Sequence, residues 1–291
     1  MPRQLIAVYQ NGNYVVKLYS DGTKEKITNE DSFIATFPDS IDLKITNYCD
    51  MNCPMCHEKS SIDGKEGDLT KSFLSTLKKG TELAIGGGNP LSHSHLLPFL
   101  ERMKNQGVIC NLTVNEQHFL KSKELISRLI NDKLIYGLGI SIKAYNEEVV
   151  KFACANSNVV LHIINGLFTD YDKLSNKGLK ILILGYKRFG RGAELYNESI
   201  EKNMQASKKG ISSLFGKFRY ISFDNLALDQ LELRSLISKD EFEKMYMGDD
   251  GEGTMYVDLV EEKYAKSSTS TIRYNIENDI GTMFKRIQII K

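Results

Sequence analysis

Several things are scarce in this sequence. Tryptophan is absent, which by itself excludes nothing. Cysteine is limited to five residues, an odd number with three clustered, which argues against a disulfide framework and for a reducing cytoplasm. No apolar run approaches the length of a membrane span, and the N-terminus MPRQLIAVYQNGNY lacks the apolar core of a secretory signal. Excess charge of one sign is missing too. Lys and Arg number 38 against 37 Asp and Glu, a net charge of +1, which gives no support for a nucleic-acid substrate. What remains is 291 residues with 41% hydrophobic and 26% charged content, ordinary for a soluble globular protein of one large domain with small appendages.

The stretch Ile41 to Cys56, IDLKITNYCDMNCPMC, is the most informative. Cys49, Cys53 and Cys56 fall with the spacing C-x3-C-x2-C directly after an alternating, β-rich run. Three thiolates within eight residues can converge on one soft metal centre, zinc or an iron–sulfur cluster. A structural zinc site wants four ligands, and the fourth is missing. Cys110 and Cys154 sit in apolar runs that read as core. His57 adjoins Cys56, but two consecutive residues rarely both reach one tetrahedral ion. The count favours an iron–sulfur cluster with an open iron, and a non-catalytic zinc protein is the alternative from another class.

Ahead of this stretch, Asn11-Gly12 and Asp21-Gly22 are turn signals between alternating segments. Residues 1–40 therefore read as a β-hairpin extension and linker, either an edge-strand addition or a substrate-docking element. From Ile41 onward apolar strands alternate with amphipathic segments, which predicts a parallel sheet covered by helices. Leu69, Phe73 and Leu77 predict a helix ending at Gly80, Ser92 is a candidate cap for the next, and a long helix is expected over Glu194 to Leu214. Six such units without GxGxxG after the first strand favour a barrel over a dinucleotide-binding sheet. The domain plan is a core over 41–225 and a C-terminal α+β extension over 226–291. That extension carries a hairpin from MYVDLV and KYAKSSTS, and a last helix with Met283, Phe284, Ile287 and Ile290 on one face closes the barrel. In a βα barrel, chemistry sits where strands end.

The cysteine spacing resembles that of the radical SAM enzymes, and so does the segment Gly86-Gly87-Gly88-Asn89-Pro90, which is similar to the family's GGE(P) run with Asn89 in place of glutamate. Met55 fits the apolar residue before the third cysteine. The resemblance implies a partial (β/α)6 TIM-like barrel and a [4Fe-4S] cluster held by Cys49, Cys53 and Cys56. It also implies S-adenosylmethionine chelating the fourth iron and contacted by Gly86, Gly87, Gly88 and Asn89. Asn115 matches the family's TNG segment, or caps the helix that follows. Ser141 and Asn165 are candidates for the ribose, and Gly185 lets adenine approach the backbone. Lys187 and Arg188, with Arg191, form a loop that either holds an anionic group or faces solvent. Lys143 either neutralises a carboxylate or is solvated, and Asp224 is a candidate to bind substrate or relay a proton. His162 reads as a core histidine, and His93 and His95 as surface.

By the family's chemistry, the reduced cluster cleaves S-adenosylmethionine to a 5′-deoxyadenosyl radical that takes hydrogen from a substrate. The substrate expected is a peptide, a protein or a small molecule, with activation of a glycyl-radical partner as the alternative. The implied electron donor is a flavodoxin or ferredoxin, and the implied location is the cytoplasm without membrane contact.

Overall fold

In the run Ser40–Thr46, Ile41, Leu43 and Ile45 are essentially inaccessible while Asp42 is open. The alternation is the period of a strand with one face against an apolar layer, and burying each such side chain contributes about 1.5–3 kcal/mol. This strand is the fourth in the chain. The computed structural model describes residues 3–289 and begins with a separate antiparallel sheet of β1 (Leu5–Asn11), β2 (Tyr14–Tyr19) and β3 (Lys24–Ile27). The main sheet starts with β4 (Ser40–Thr46) and β5 (Glu82–Gly87). It continues through β6 (Ile109–Asn115), β7 (Gly137–Ser141), β8 (Val159–Ile164), β9 (Lys180–Leu184) and β10 (Tyr220–Phe223). The tail adds β11 (Thr254–Asp258), β12 (Lys263–Ala265) and β13 (Tyr274–Asn275).

These ten strands form one sheet in the order β10-β9-β8-β7-β6-β5-β4-β11-β12-β13. From β10 to β11 every pair is parallel, and β12 and β13 follow antiparallel. The tail therefore extends the sheet on the β4 side: Tyr256 lies opposite Asp42. The segments MYVDLV and KYAKSSTS pair as a hairpin through β11 and β12.

Helices connect the parallel strands: α1 (Leu96–Gln106), α2 (Glu116–Lys121), α3 (Lys123–Asn131), α4 (Glu147–Ala155), α5 (Tyr171–Leu174), α6 (Arg191–Leu195) and α7 (Glu198–Gly210). After β10 come α8 (Asn225–Gln230), α9 (Lys239–Met245) and α10 (Ile280–Gln288). No helix among the described residues is long and apolar enough to cross a membrane. The fold is thus mixed α/β with a large parallel sheet.

Several local expectations are corrected. The helix over Leu69 to Leu77 is only a 3-10 turn, Ser72–Thr76, although Leu69, Phe73 and Leu77 are all buried. Extended residues Lys71 and Leu77 flank the turn, and α10 packs on it through Met283, Phe284 and Ile287 of the shared core. A helical spacing of apolar residues shows which residues are buried, and a distant helix can supply the cover. Ser92 lies in a 3-10 turn, bonded to the Asn89 carbonyl, and His95 precedes α1 instead. The expected long helix is broken at Tyr196 and Asn197, where Asn197 caps α7 with bonds from the N–H groups of Ser199 and Ile200. Cys154 is exposed. Ile290 lies outside the described residues.

The N-terminal sheet sits at the N-terminal ends of the main strands. Asp39, just before β4, accepts bonds from Asn11 Nδ2 (2.8 Å) and Tyr14 Oη (2.6 Å) and pairs with Lys26 (2.9 Å). Lys24 pairs with Glu82 at the start of β5, and Lys180 at the start of β9 donates to the Asp21 carbonyl. It is therefore not an edge-strand addition to the main sheet.

Candidate active site

At the opposite ends of the strands, β4 runs into the cysteine loop. Cys49 N donates to Ser61 O (2.8 Å), Asn47 N to Lys65 O (2.8 Å), and Ser60 Oγ to Asn47 Oδ1 (2.9 Å). The loop from His57 to Asp68 is thereby wound back along the continuation of β4. Cys49, Cys53 and Cys56 are half-buried and line one side of a cavity of about 420 Å³. Burial, with Cys53, Asp50 and Cys56 nearby, pushes the Cys49 thiol up against a bond from the Met51 N–H.

The three glycines at the end of β5 divide by task. A Cβ on Gly88 would lie 2.0 Å from Tyr48 O, and one on Gly87 (φ +116°) 2.3 Å from Thr46 O. Both let β5 pass close beneath the entry to the cysteine loop. A Cβ on Gly86 would meet nothing within 4 Å, so this glycine leaves room in the cavity. Asn89 N donates to Tyr48 O (2.7 Å), and its Oδ1 is buried without a partner.

Of the other residues singled out from sequence, Met55, Asn115, Ser141 and Lys187 line the same cavity. Asn115 also caps α2, its Oδ1 accepting from Gln117 N at 2.9 Å. Asn165 is buried outside the lining, donating to Gln230 Oε1 (3.2 Å) with its own Oδ1 unpartnered. Gly185 packs against Leu226 of α8 and donates to Asp224 Oδ1 (2.9 Å). Asp224 caps α8 through Ala227 N (2.7 Å), and burial raises its carboxyl against these two backbone bonds. Arg188 stacks on Tyr196 and pairs with Glu201 (3.1 Å), away from the cavity, and Lys143 is exposed. His93 is buried rather than superficial, its Nε2 on Gly67 O at 3.0 Å.

Sequence reasoning missed the floor of the site. Lys44, its side chain 6% exposed, pairs with Glu58 (2.6 Å) and Asp258 (3.1 Å). Tyr256 Oη lies 3.2 Å from Glu58 and 3.4 Å from Asp258. Burial opposes ionisation of Glu58, yet His57 and Lys44 hold its carboxyl far below the usual range. His57 Nε2 faces Glu58 (3.3 Å) and Lys187 (3.4 Å), which ties this nitrogen to the network. Lys187 also donates to Ser268 Oγ (2.8 Å). Alternation along β4 could have shown Asp42 and Lys44 facing inward. Nothing local pairs them with Tyr256, Asp258 and Ser268.

Besides the cysteines, two titratable side chains in the cavity make no hydrogen bond or ion pair among the described residues. Asp42 opens onto the cavity but is walled in by protein, and this burial pushes it up to about 6, with Lys187 opposing. His162 is no satisfied core residue: it faces the cavity across Gly139 and burial lowers it to about 4. His118, beside Cys49, bonds Asp50 through Nε2 (2.6 Å) and leaves Nδ1 buried without a partner. The donor set fits a cluster held by three thiolates with an open position. Gly86 and the unpartnered Asn89 oxygen fit a ligand with an amine beside it.

No family model matches the chain, and no curated protein does. Solved structures of SuiB from Streptococcus suis, a radical SAM enzyme, do match. SuiB bound to precursor peptide SuiA aligns with a TM-score of 0.58 and 15% identity over 86% of this chain. SuiB bound to S-adenosylmethionine aligns at 0.57 and 13% over 83%. The chain spans 65% and 64% of the length of those two structures, just under two thirds. At this identity the likeness is one of fold.

Proposed function

We propose that this chain is a radical SAM enzyme acting on a peptide. The observation that carries the proposal is the meeting of Cys49, Cys53 and Cys56 with Gly86 in one cavity at the C-terminal ends of a parallel sheet. In this reading the sheet curls as a partial barrel over 41–225, residues 1–40 seal its far end, and 226–291 complete its wall. The three cysteines would hold a [4Fe-4S] cluster. The backbone of Gly86 to Gly88, with Asn89, Asn115 and Ser141, would hold S-adenosylmethionine. With both groups bound, the chemistry supplied is one-electron cleavage of S-adenosylmethionine to methionine and a 5′-deoxyadenosyl species that takes hydrogen from substrate.

The chain's own residues do the rest. Lys44, Glu58, Asp258 and Tyr256 fix the loop on the sheet, and the buried wall of β8 and β9 excludes water. Asp42 and His162 present unpaired groups to whatever enters. The peptide substrate is supported by the SuiB fold, whose bound partner is a precursor peptide. A flavodoxin or ferredoxin as electron donor and a cytoplasmic setting complete the proposal. Anaerobic reconstitution with iron and sulfide, dithionite reduction and quantification of 5′-deoxyadenosine test it. One cluster per chain with slow 5′-deoxyadenosine release is expected, and colourless protein holding zinc and leaving S-adenosylmethionine intact would overturn it.

A further inference from the structure

The loop after β9, from Tyr186 to Gly192, lies against the cysteine loop. Arg191 Nε donates to Cys53 O (2.9 Å), its Nη2 to Ser60 O (2.9 Å), and its backbone N–H to Cys56 O (3.1 Å). One residue thus reaches three carbonyls, two belonging to cysteines and one just beyond them. The glycines beside it are shaped for this contact. Gly190 has φ +53°, and a Cβ there would lie 2.4 Å from His57 O. A Cβ on Gly192 would lie 2.4 Å from Lys187 O and 3.3 Å from Met55 O, and Tyr186 Oη donates to Gly192 O at 2.7 Å.

Arg191 lines the same cavity as the three cysteines and makes no ion pair among the described residues. Its positive charge is therefore unanswered by a carboxylate. Two of its donor nitrogens are engaged by backbone carbonyls, which makes it a clasp for the loop rather than an open receptor for an anion. Guanidinium suits this because its planar fork holds two acceptors at fixed geometry, which an ammonium cannot. Groups that orient the ligands of a metal centre and place charge beside it tune both its retention and its potential.

We propose that Arg191 is a positioning residue for the metal centre: it clasps the backbone of the cysteine loop and places a positive charge beside the thiolates. The role rests on the reading of Cys49, Cys53 and Cys56 as cluster ligands. The Lys44–Glu58–Asp258 network fastens the same loop from the sheet, so the loop is held from both flanks.

The test compares anaerobically reconstituted wild type, Arg191→Met and Arg191→Lys, without S-adenosylmethionine or substrate. Iron release to a ferrous chelator, the midpoint potential and the spectrum of the reduced cluster are measured. Arg191→Met is expected to release iron at least about tenfold faster and to shift the potential downward, since a positive charge favours the reduced cluster. Arg191→Lys keeps the charge without the fork. It is expected to retain a near-native potential while still losing iron faster, a split that simple misfolding would not produce. Should Arg191→Met fail to fold, the lysine variant decides by its iron release alone. Iron release and potential equal to wild type in the variants would overturn the role of Arg191. Failure of wild type itself to take up a cluster would overturn the function on which that role rests.

Discussion

Asp39 and Asp42 stand three positions apart on the same stretch of chain and live in opposite circumstances. Asp39, at the sealed end of the sheet, is met by Asn11, Tyr14, Tyr9 and Lys26. Burial would raise its carboxyl, but Lys26 and these donors outweigh burial and hold it below the ordinary value. Asp42, facing the cavity, has no such partner and is pushed up. The contrast extends to the neighbouring groups. Asp39 at the sealed end is fully partnered, whereas Asp42 and His162 line the cavity without a partner, and Asn89 Oδ1 and His118 Nδ1 are buried and unpartnered near the cysteine loop. A buried polar group without a partner costs stability, so such groups persist where a ligand completes them.

The largest effect expected is at the cavity end. Cys53→Ala removes one of three thiolates and should abolish cluster assembly. Iron analysis and the loss of brown colour read the result, and a variant that still holds its cluster and cleaves S-adenosylmethionine would sink the assignment. At the sealed end, Asp39→Ala leaves Lys26 buried without its counter-ion and should cost about 3 kcal/mol or more in urea unfolding. A loss under about 1 kcal/mol would show that this end is less saturated than its contacts suggest.

Gly88 and Gly86 sharpen the comparison within the site itself. Gly88→Ala drives a Cβ into Tyr48 O and should destabilise by about 1–3 kcal/mol. Gly86→Ala meets open space and should leave stability within about 0.5 kcal/mol while weakening S-adenosylmethionine binding in calorimetry. Equal loss of stability in both would mean that Gly86 shapes backbone rather than a ligand space.

A last effect is one of pH. A carboxyl whose folded value is raised costs stability as pH climbs from its unfolded value, near 4, to about 6, and the cost stays above that. Asp42→Asn should therefore raise the melting temperature at pH 7.5 and leave it unchanged at pH 4. Asp39 has the opposite sign, its contribution present at neutral pH and lost as pH falls through its lowered folded value. A pH-independent effect of Asp42→Asn would argue that Asp42 is better solvated than its walls imply.

Much of the site was legible because it is local. The cysteine spacing lies within eight residues, and the Gly86–Asn89 run follows the very next strand of the main sheet. Asn115 and Ser141 line the cavity because the sheet is parallel and their strands end on one side. The misses came from long-range pairing. Gly185, read as space for adenine, is small because α8 packs on it, and Arg188 turned outward onto Tyr196 and Glu201. Lys44 was passed over because its partner Asp258 sits on β11, a strand whose place beside β4 no local signal announces. The helix expected over Leu69 to Leu77 failed for the same reason, since the cover came from α10.

That placement of β11 sets an order of events in synthesis. Glu58 and Tyr256 touch across 198 residues, and β4 remains a sheet edge until β11 has left the ribosome. Contacts so far apart form late and slowly. The cysteines emerge long before the strand that supplies Asp258 to Lys44. Iron and sulfide delivered to a nascent chain would meet a loop with no finished floor. A cluster held by these cysteines would gain its finished floor only once β11 had paired with β4.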